Sequence, residues 1–352
     1  MRTRCVSVER CLLLMVIACL AAPALAQTYV AVNLGTLRGG SARVHQLNEN
    51  GEVVGGSGFV YGAGRHAFLW RRAGGMRDLG TLPGGDISEA FSINNAGQVV
   101  GTSNTGSSMR AFLWSESGGL RDLGTIAGAN SSQAYGINDS GQIVGNSGTR
   151  AVVWSNGTVQ DIGGLPNSTW SEARAINNLG QVVGFSNTPQ GPRAFLWSGG
   201  AFRNLGTLPG DSASRANFID DTGRVVGASE QNGNVRAFLW TETTGMQPLG
   251  SLPGGTYSEA FGMNNAGQVV GQSGSSLGTR AFLWSASTGM VDLNTIVTGP
   301  PNLVLTGAFG INVKGAIIAF GILETGTNRN QETRGDIHIH QAGTRAFLLM
   351  PQ

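Results

Sequence analysis

Three short blocks recur seven times each, in unchanged order, along the chain, and such internal repetition decides the architecture before any local feature does. The first block reads Leu-Gly-Thr-Leu and begins at Leu34, Leu79, Leu123, Ile162, Leu205, Leu249 and Leu293. The second reads Ile-Asn-x-x-Gly-x-Val-Val-Gly, as in Ile93–Gly101 and Ile137–Gly145, with looser copies from Leu47 and Ile311. The third is Arg-Ala-Phe-Leu-Trp, beginning at His66, Arg110, Arg150, Arg193, Arg236, Arg280 and Arg345. The tryptophans of this third block, at 70, 114, 154, 197, 240 and 284, are spaced by 44, 40, 43, 43 and 44 residues, the period of a four-stranded propeller blade.

The local chemistry agrees with that period. Asn followed by Gly between two apolar runs makes a hairpin, and the Gly-rich stretch after each tryptophan makes a second one, so each unit supplies four strands. Glycine reaches 56 of 352 residues, too many for long helices and well explained by frequent tight turns. The terminal units carry the same blocks as the interior ones, whereas an open solenoid needs distinct polar caps. The expected fold is therefore all-β, a single seven-bladed β-propeller over 27–352, with a β-solenoid as the alternative. Closure requires the first strand, Tyr29 to Leu37, to complete the last blade by pairing with Thr344 to Leu349.

The first 26 residues read as a signal peptide. Arg2, Arg4 and Arg10 precede an apolar run from Cys11 to Leu20, and Ala24-Leu25-Ala26 offers a cleavage site before Gln27. That run is too short for a membrane span, and none follows it. The expected location is outside the cytoplasm, extracellular or periplasmic; the alternative is a lipoprotein tethered through Cys19. All three cysteines, Cys5, Cys11 and Cys19, lie in this leader, so the mature chain has no disulfide and no thiolate chemistry. Cleavage also leaves 20 basic and 20 acidic residues; a neutral chain has no general attraction for nucleic acid.

The motifs His/Arg-Ala-Phe, Asp-Leu-Gly-Thr-Leu-Pro-Gly-Gly (Asp78–Gly85) and Ile-Asn-x-x-Gly-Gln-Val-Val-Gly resemble the HAF family of extracellular bacterial repeat proteins, over essentially the whole mature chain. The last unit, with Asp292–Ile296 and Arg345–Pro351, is similar to the family's usual ending; a sorting tail found in some members is not expected after Gln352. The resemblance implies export and repetition, and it carries no catalytic residues.

Candidate functional residues fall into two groups. One position, four residues before the isoleucine of the second block, varies within a fixed frame: Arg43, Glu89, Gln133, Glu172, Arg215, Glu259 and Gly307. It belongs to the innermost strand and is the expected ligand-contacting position. The second group lies in the seventh unit, which carries about 20 residues more than the others, around 324–343. There, strand alternation would set Asp336, His338 and His340 on one face, the one metal-like cluster in the chain. The repeated arginine before Ala-Phe is read as structural, each pairing with a carboxylate or backbone carbonyl of its own or the next blade. The Asn-rich turns are read as turns, not calcium loops. No nucleophile elbow, phosphate loop or zinc-protease helix is present. The expected function is a non-enzymatic binding or scaffold propeller, without cofactor, for a glycan, cell-wall component or protein. The alternatives are a polysaccharide-cleaving enzyme using Glu89, Glu172 and Glu259, and a purely structural surface protein.

Overall fold

The computed structural model describes residues 27–37, 39–59, 64–106, 108–323 and 344–352. Residues 1–26, read as a signal peptide in the sequence, and residues 324–343, with Asp336, His338 and His340, lie outside the described residues. Six sheets of four antiparallel strands follow one another in sequence order, and a seventh sheet joins the two ends of the chain. Blade 1 comprises Gly39–Leu47, Val53–Phe59, Arg65–Arg71 and Gly75–Gly80. The first strands of blades 2 to 7 are Ser88–Ile93, Ser132–Ile137, Trp170–Ile176, Ala213–Ile219, Ser258–Met263 and Leu303–Ile311. These seven first strands touch one another in a closed circle. They line the axis, and the ring excludes the solenoid.

Closure occurs where the repeat pattern requires it. Tyr29–Asn33 runs antiparallel to Arg345–Pro351, pairing Tyr29 with Pro351 and Asn33 with Phe347. One detail differs from a uniform set of four-stranded blades. Val297–Thr298 adds a short fifth strand to blade 7, parallel to Tyr29–Val30, because the segment entering that blade is the one that follows the departing end of blade 6.

The Arg-Ala-Phe-Leu-Trp block is the blade's third strand, and its alternation explains its composition. Successive side chains face opposite sides of a strand, so Ala and Leu meet the following blade while Phe and Trp meet the preceding one. Ala67 and Leu69 of blade 1 pack with Phe112 and Trp114 of blade 2. Ala194 and Leu196 of blade 4 pack likewise with Phe238 and Trp240 of blade 5. The same pairing closes the ring, where Ala346 and Leu348 meet Phe68 and Trp70. Each of the seven apolar clusters among the described residues lies between two neighbouring blades, so the core is seven wedges rather than one mass.

Two sets of buried serines hold the wedges in register. Ser88, Ser132, Ser171, Ser214 and Ser258 each receive the backbone N–H of the repeat alanine in the preceding blade. Each donates its own hydroxyl to the carbonyl of the glycine in that blade's Leu-Gly-Thr-Leu block, at or just beyond the end of the outer strand. A second set, Ser57, Ser103, Ser147, Ser186, Ser229 and Ser273, accepts the N–H of the last residue of the Leu-Gly-Thr-Leu block as the chain crosses between blades. The Leu-Pro-Gly-Gly link thus crosses from blade to blade, and the Trp-to-Leu-Gly-Thr-Leu turn lies within a blade, both as the repeat implies. Ser171 is fully buried and satisfies two backbone groups. Ser171→Ala is expected to lower the free energy of unfolding by about 1–3 kcal/mol, the cost of leaving a buried donor unsatisfied, as measured by urea denaturation; an unchanged midpoint would show that the hydroxyl does not hold the blades.

Candidate functional site

The glycine ending each Val-Val-Gly creates the site's geometry. A Cβ built on Gly101 would lie 1.9 Å from the carbonyl oxygen of Glu89, and one on Gly184 would lie 1.9 Å from that of Glu172. In blades 1 to 6 that approach is open only to glycine, and blade 7 has Ala319 at the same place. A bulge occurs in every innermost strand, at which one residue has no partner in the ladder: His45, Phe91, Tyr135, Arg174, Asn217, Phe261 and Phe309. A bulge re-aims its extra side chain, and all seven line a cavity of about 730 Å³ on the propeller axis. They are half-buried.

The Asn-rich turns form the mouth of this cavity. Asn94 Nδ2 donates to the carbonyl of Asn138 in the next blade at 3.1 Å, and Asn48, Asn138, Asn177 and Asn264 repeat the contact. Asn312 completes the circle by donating to Asn48 at 3.2 Å. Blade 5 has Asp220, which has no N–H to give; Arg224 pairs with it at 2.6 Å and donates to the carbonyl of Asn265 instead. One residue further along, the backbone N–H of six of the seven turns is received by the neighbouring blade's side chain, as from Asn95 to Asp139 and from Val313 to Glu49; the exception is Asn265, whose counterpart in blade 7 is Val313. These turns are hairpins bound to one another. Burial raises the Glu49 carboxyl, and the nearby Asp139 and Asp221 add to the shift, against the Val313 N–H and Lys314.

Inside the mouth, the lining has two characters. Phe261 and Phe309 stack in parallel with centroids 4.7 Å apart. Phe91 meets His45 edge-on at 5.0 Å and Tyr135 at 5.2 Å. The opposite arc is polar. The Tyr135 hydroxyl donates to Gln133, and its phenol is raised by burial and by the charge of Glu172. Arg174 contacts Glu172 at 2.9 Å and Asn217 at 2.6 Å. Asn217 donates in turn to Glu259, at 3.3 Å, and to the Ala260 carbonyl. Arg174 and Arg215 both lie over the Phe185 ring, 4.9 and 5.4 Å from its centroid.

The variable position singled out in the sequence divides between two environments. Glu172, Arg215 and Glu259 line the cavity, and Arg215 is paired with Glu230 at 3.2 Å. Arg43, Glu89 and Gln133 are not among the cavity's lining residues. Glu89, nearly inaccessible, lies 2.7 Å from His45 of the preceding blade, and its other oxygen lies 2.7 Å from Arg65 Nε, an ion-pair contact without hydrogen-bond alignment. Burial pushes the Glu89 carboxyl up, but His45, Arg65 and Arg43 outweigh that and hold it below the usual range. Glu259 goes the other way. Its burial dominates over Arg174, Asn217 and Arg215, and its carboxyl is raised. Thus Glu89 and Glu172 are ion-paired, while Glu259 is hydrogen-bonded only to amide side chains.

The seven bulged residues stand two places after the position chosen from the sequence. Their identities, His, Phe, Tyr, Arg, Asn, Phe and Phe, vary as much as those of the chosen position. Four of them are aromatic, and an aromatic within a strand reads as core. The repeated arginines, in contrast, take the structural partners expected of them. Arg110 and Arg150 pair with Asp122 and Asp161 of their own blades, Arg236 pairs with Asp211, and Arg193 and Arg280 donate to carbonyls. Among the described residues, no group of three or more His, Cys, Asp and Glu gathers as a metal site, and no helix is long and apolar enough to cross a membrane.

No known family model and no curated protein sequence matches the chain. Solved structures do. A catalytically inactive virginiamycin B lyase from Staphylococcus aureus, solved with quinupristin, is 11% identical, with a TM-score of 0.56 over 92% of this chain and 99% of that one. The β-propeller domain of the trilobed protease from Pyrococcus furiosus, described as having an open velcro topology, is 11% identical, with a TM-score of 0.51 over 72% and 81%. A prolyl endopeptidase, 10% identical with a TM-score of 0.56, aligns over 84% of this chain, which spans only 46% of the endopeptidase. At such identities the likeness is one of fold. The chain is a seven-bladed β-propeller with an axial cavity to which every blade contributes its bulged residue.

Two titration consequences follow from the carboxyls. The unfolded chain ionises Glu259 near the ordinary value of 4.5 and the folded chain ionises it higher, so rising pH favours unfolding across that interval. Glu259→Gln is expected to remove this decline and to be the more stable protein at pH 7, as seen by thermal melts from pH 4 to 8; parallel pH profiles would contradict it. Glu89 has the opposite sign: its contribution is present above the ordinary value and disappears as pH falls through its depressed one. Glu89→Gln is expected to cost about 2–4 kcal/mol at pH 7, less than for a fully buried pair because Arg65 keeps contact with water, and the difference should shrink in acid.

Proposed function

We propose that this protein is an exported, non-enzymatic binding propeller of the HAF type, and that its axial cavity takes a sugar ring from a glycan or cell-wall component. The observation that carries the reading is the set of seven bulges. A fixed frame presents one variable residue per blade to a single concave space of ligand size, about 730 Å³. The lining suits a ring with one apolar face and several hydroxyls. Phe91, Tyr135, Phe261 and Phe309 offer flat apolar surface, and Arg174 and Asn217 offer polar groups held in place by Glu172 and Glu259. A purely structural surface protein would have no need for a lining that differs from blade to blade while the frame stays constant.

Cleavage of a polysaccharide is favoured by one observation, the raised carboxyl of Glu259, which would suit a proton donor. Against it, the other two acids are held in ion pairs with His45, Arg65 and Arg174.

A glycan array probed with the mature chain tests both readings. The binding reading expects retention of specific glycans and no released oligosaccharide. Phe261→Ala should weaken the retained interaction about tenfold, the upper range for loss of an aromatic contact. Products that disappear in Glu259→Gln would establish the enzyme; no retained glycan at all would turn the search to protein partners.

A further inference from the structure

One cluster near the axis has more positive charge than the described residues neutralise. Arg65 and Gly56 occur at their seats in blade 1 alone, and the seat of Arg43 holds an arginine again only in blade 5, where Arg215 is paired with Glu230. Arg43 stands on the innermost strand, half-buried, and its guanidinium makes no hydrogen bond or ion pair with any described residue. Arg65 begins the third strand; its equivalents are Met109, Thr149, Pro192, Val235, Thr279 and Thr344. To reach inward, Arg65 crosses Gly56, on which a Cβ would sit 2.9 Å from Arg65 Cδ and 3.0 Å from the Glu89 carboxyl carbon. The equivalent seats hold Thr102, Asn146, Phe185, Ala228, Gln272 and Phe320. Only the glycine leaves room for a second guanidinium beside Arg43.

The acid in this cluster is already engaged. Glu89 gives one oxygen to His45 and the other to Arg65, each at 2.7 Å. Arg65 Nε is buried without an aligned acceptor. Two arginines therefore share one carboxylate, and burial, reinforced by Arg65, disfavours the charge on Arg43. A buried polar group without a partner, and a charge short of one, are costly arrangements. On the other innermost strands each arginine has a carboxylate of its own, Arg174 with Glu172 and Arg215 with Glu230.

We infer that Arg43 and Arg65 form a seat for an oxyanion, the carboxylate, sulfate or phosphate group of an acidic ligand, distinct from the aromatic lining of the axial cavity. Guanidinium groups present forked donors that match such groups, and an anion here would supply the missing acceptor. This goes beyond the glycan reading and does not require it, because the seat is defined without reference to the bulged residues other than His45.

The test is a set of titrations of the mature chain with sodium sulfate and with sodium acetate, each at ionic strength held constant with sodium chloride and followed by melting temperature and by amide chemical shifts. Arg43→Gln and Arg65→Met place in blade 1 the residues that blades 3 and 2 carry at the same seats, Gln133 and Met109, so the fold has precedent for both. The expected result is saturable stabilisation by at least one of the anions, with shifts at blade 1, weakened tenfold or more in each variant. Tighter binding of sulfate identifies a tetrahedral ester as the natural group, and tighter binding of acetate identifies a carboxylate. Phe261→Ala should leave this binding unchanged even where it weakens glycan retention, which separates the two sites. A rise that is linear, unsaturated and equal in Arg43→Gln would be the general salting effect of sulfate and would overturn the seat, as would saturable binding that both variants retain.

Discussion

Everything in this propeller rests on the antiparallel pairing of Tyr29–Asn33 with Arg345–Pro351. Each blade buries its apolar faces only against its two neighbours, so an unclosed array of seven would leave two faces and two sheet edges open to water. The terminal pairing removes both. It lets Ala346 and Leu348 meet Phe68 and Trp70 across the seam, and it brings Asn312 within reach of Asn48 so that the axial circle of amides has no end. The seam is not an ordinary interface. Blade 1 has Ala42 where five other blades have the bridging serine, so hydrogen bonding there is delegated to the strand ladder, Ser57 and the amide circle.

Much of this was legible in the repeat. The period implied the blade, the hairpin chemistry implied four strands in each, and terminal units that carry the same blocks as interior ones implied ring closure through a shared last blade. The structural role of the repeated arginines was equally readable, since a residue that recurs in every unit serves what every unit has in common. Both serine sets were also present in plain sequence, at fixed offsets from the isoleucine and after Val-Val-Gly. They escaped notice because serine is common in turns and carries no charge, and because its effect here depends on being buried between blades, which periodicity does not reveal.

The candidate site was half legible for a related reason. Variation inside a constant frame pointed to the innermost strand, and three of the six chosen side chains, Glu172, Arg215 and Glu259, do face the cavity. The bulge was not visible. It depends on a carbonyl pressed against a glycine on the next strand, a contact between residues that no local pattern links. The polar relay from Gln133 through Tyr135, and from Glu172 through Arg174 and Asn217 to Glu259, crosses four blades. Such a relay arises only when the ring sets residues about 40 positions apart side by side.

The bulged residue has a further significance. Because it takes no part in the ladder's pairing, its side chain can be exchanged without disturbing the ladder, which in blades 1 to 6 is held by a glycine on the next strand. The seven seats around the axis therefore vary on a common scaffold and are coupled where neighbouring seats touch, as Arg174 does Asn217 and Phe261 does Phe309. A chain assembled by duplicating one unit could diversify its recognition surface one blade at a time, at no cost to the ring that displays it.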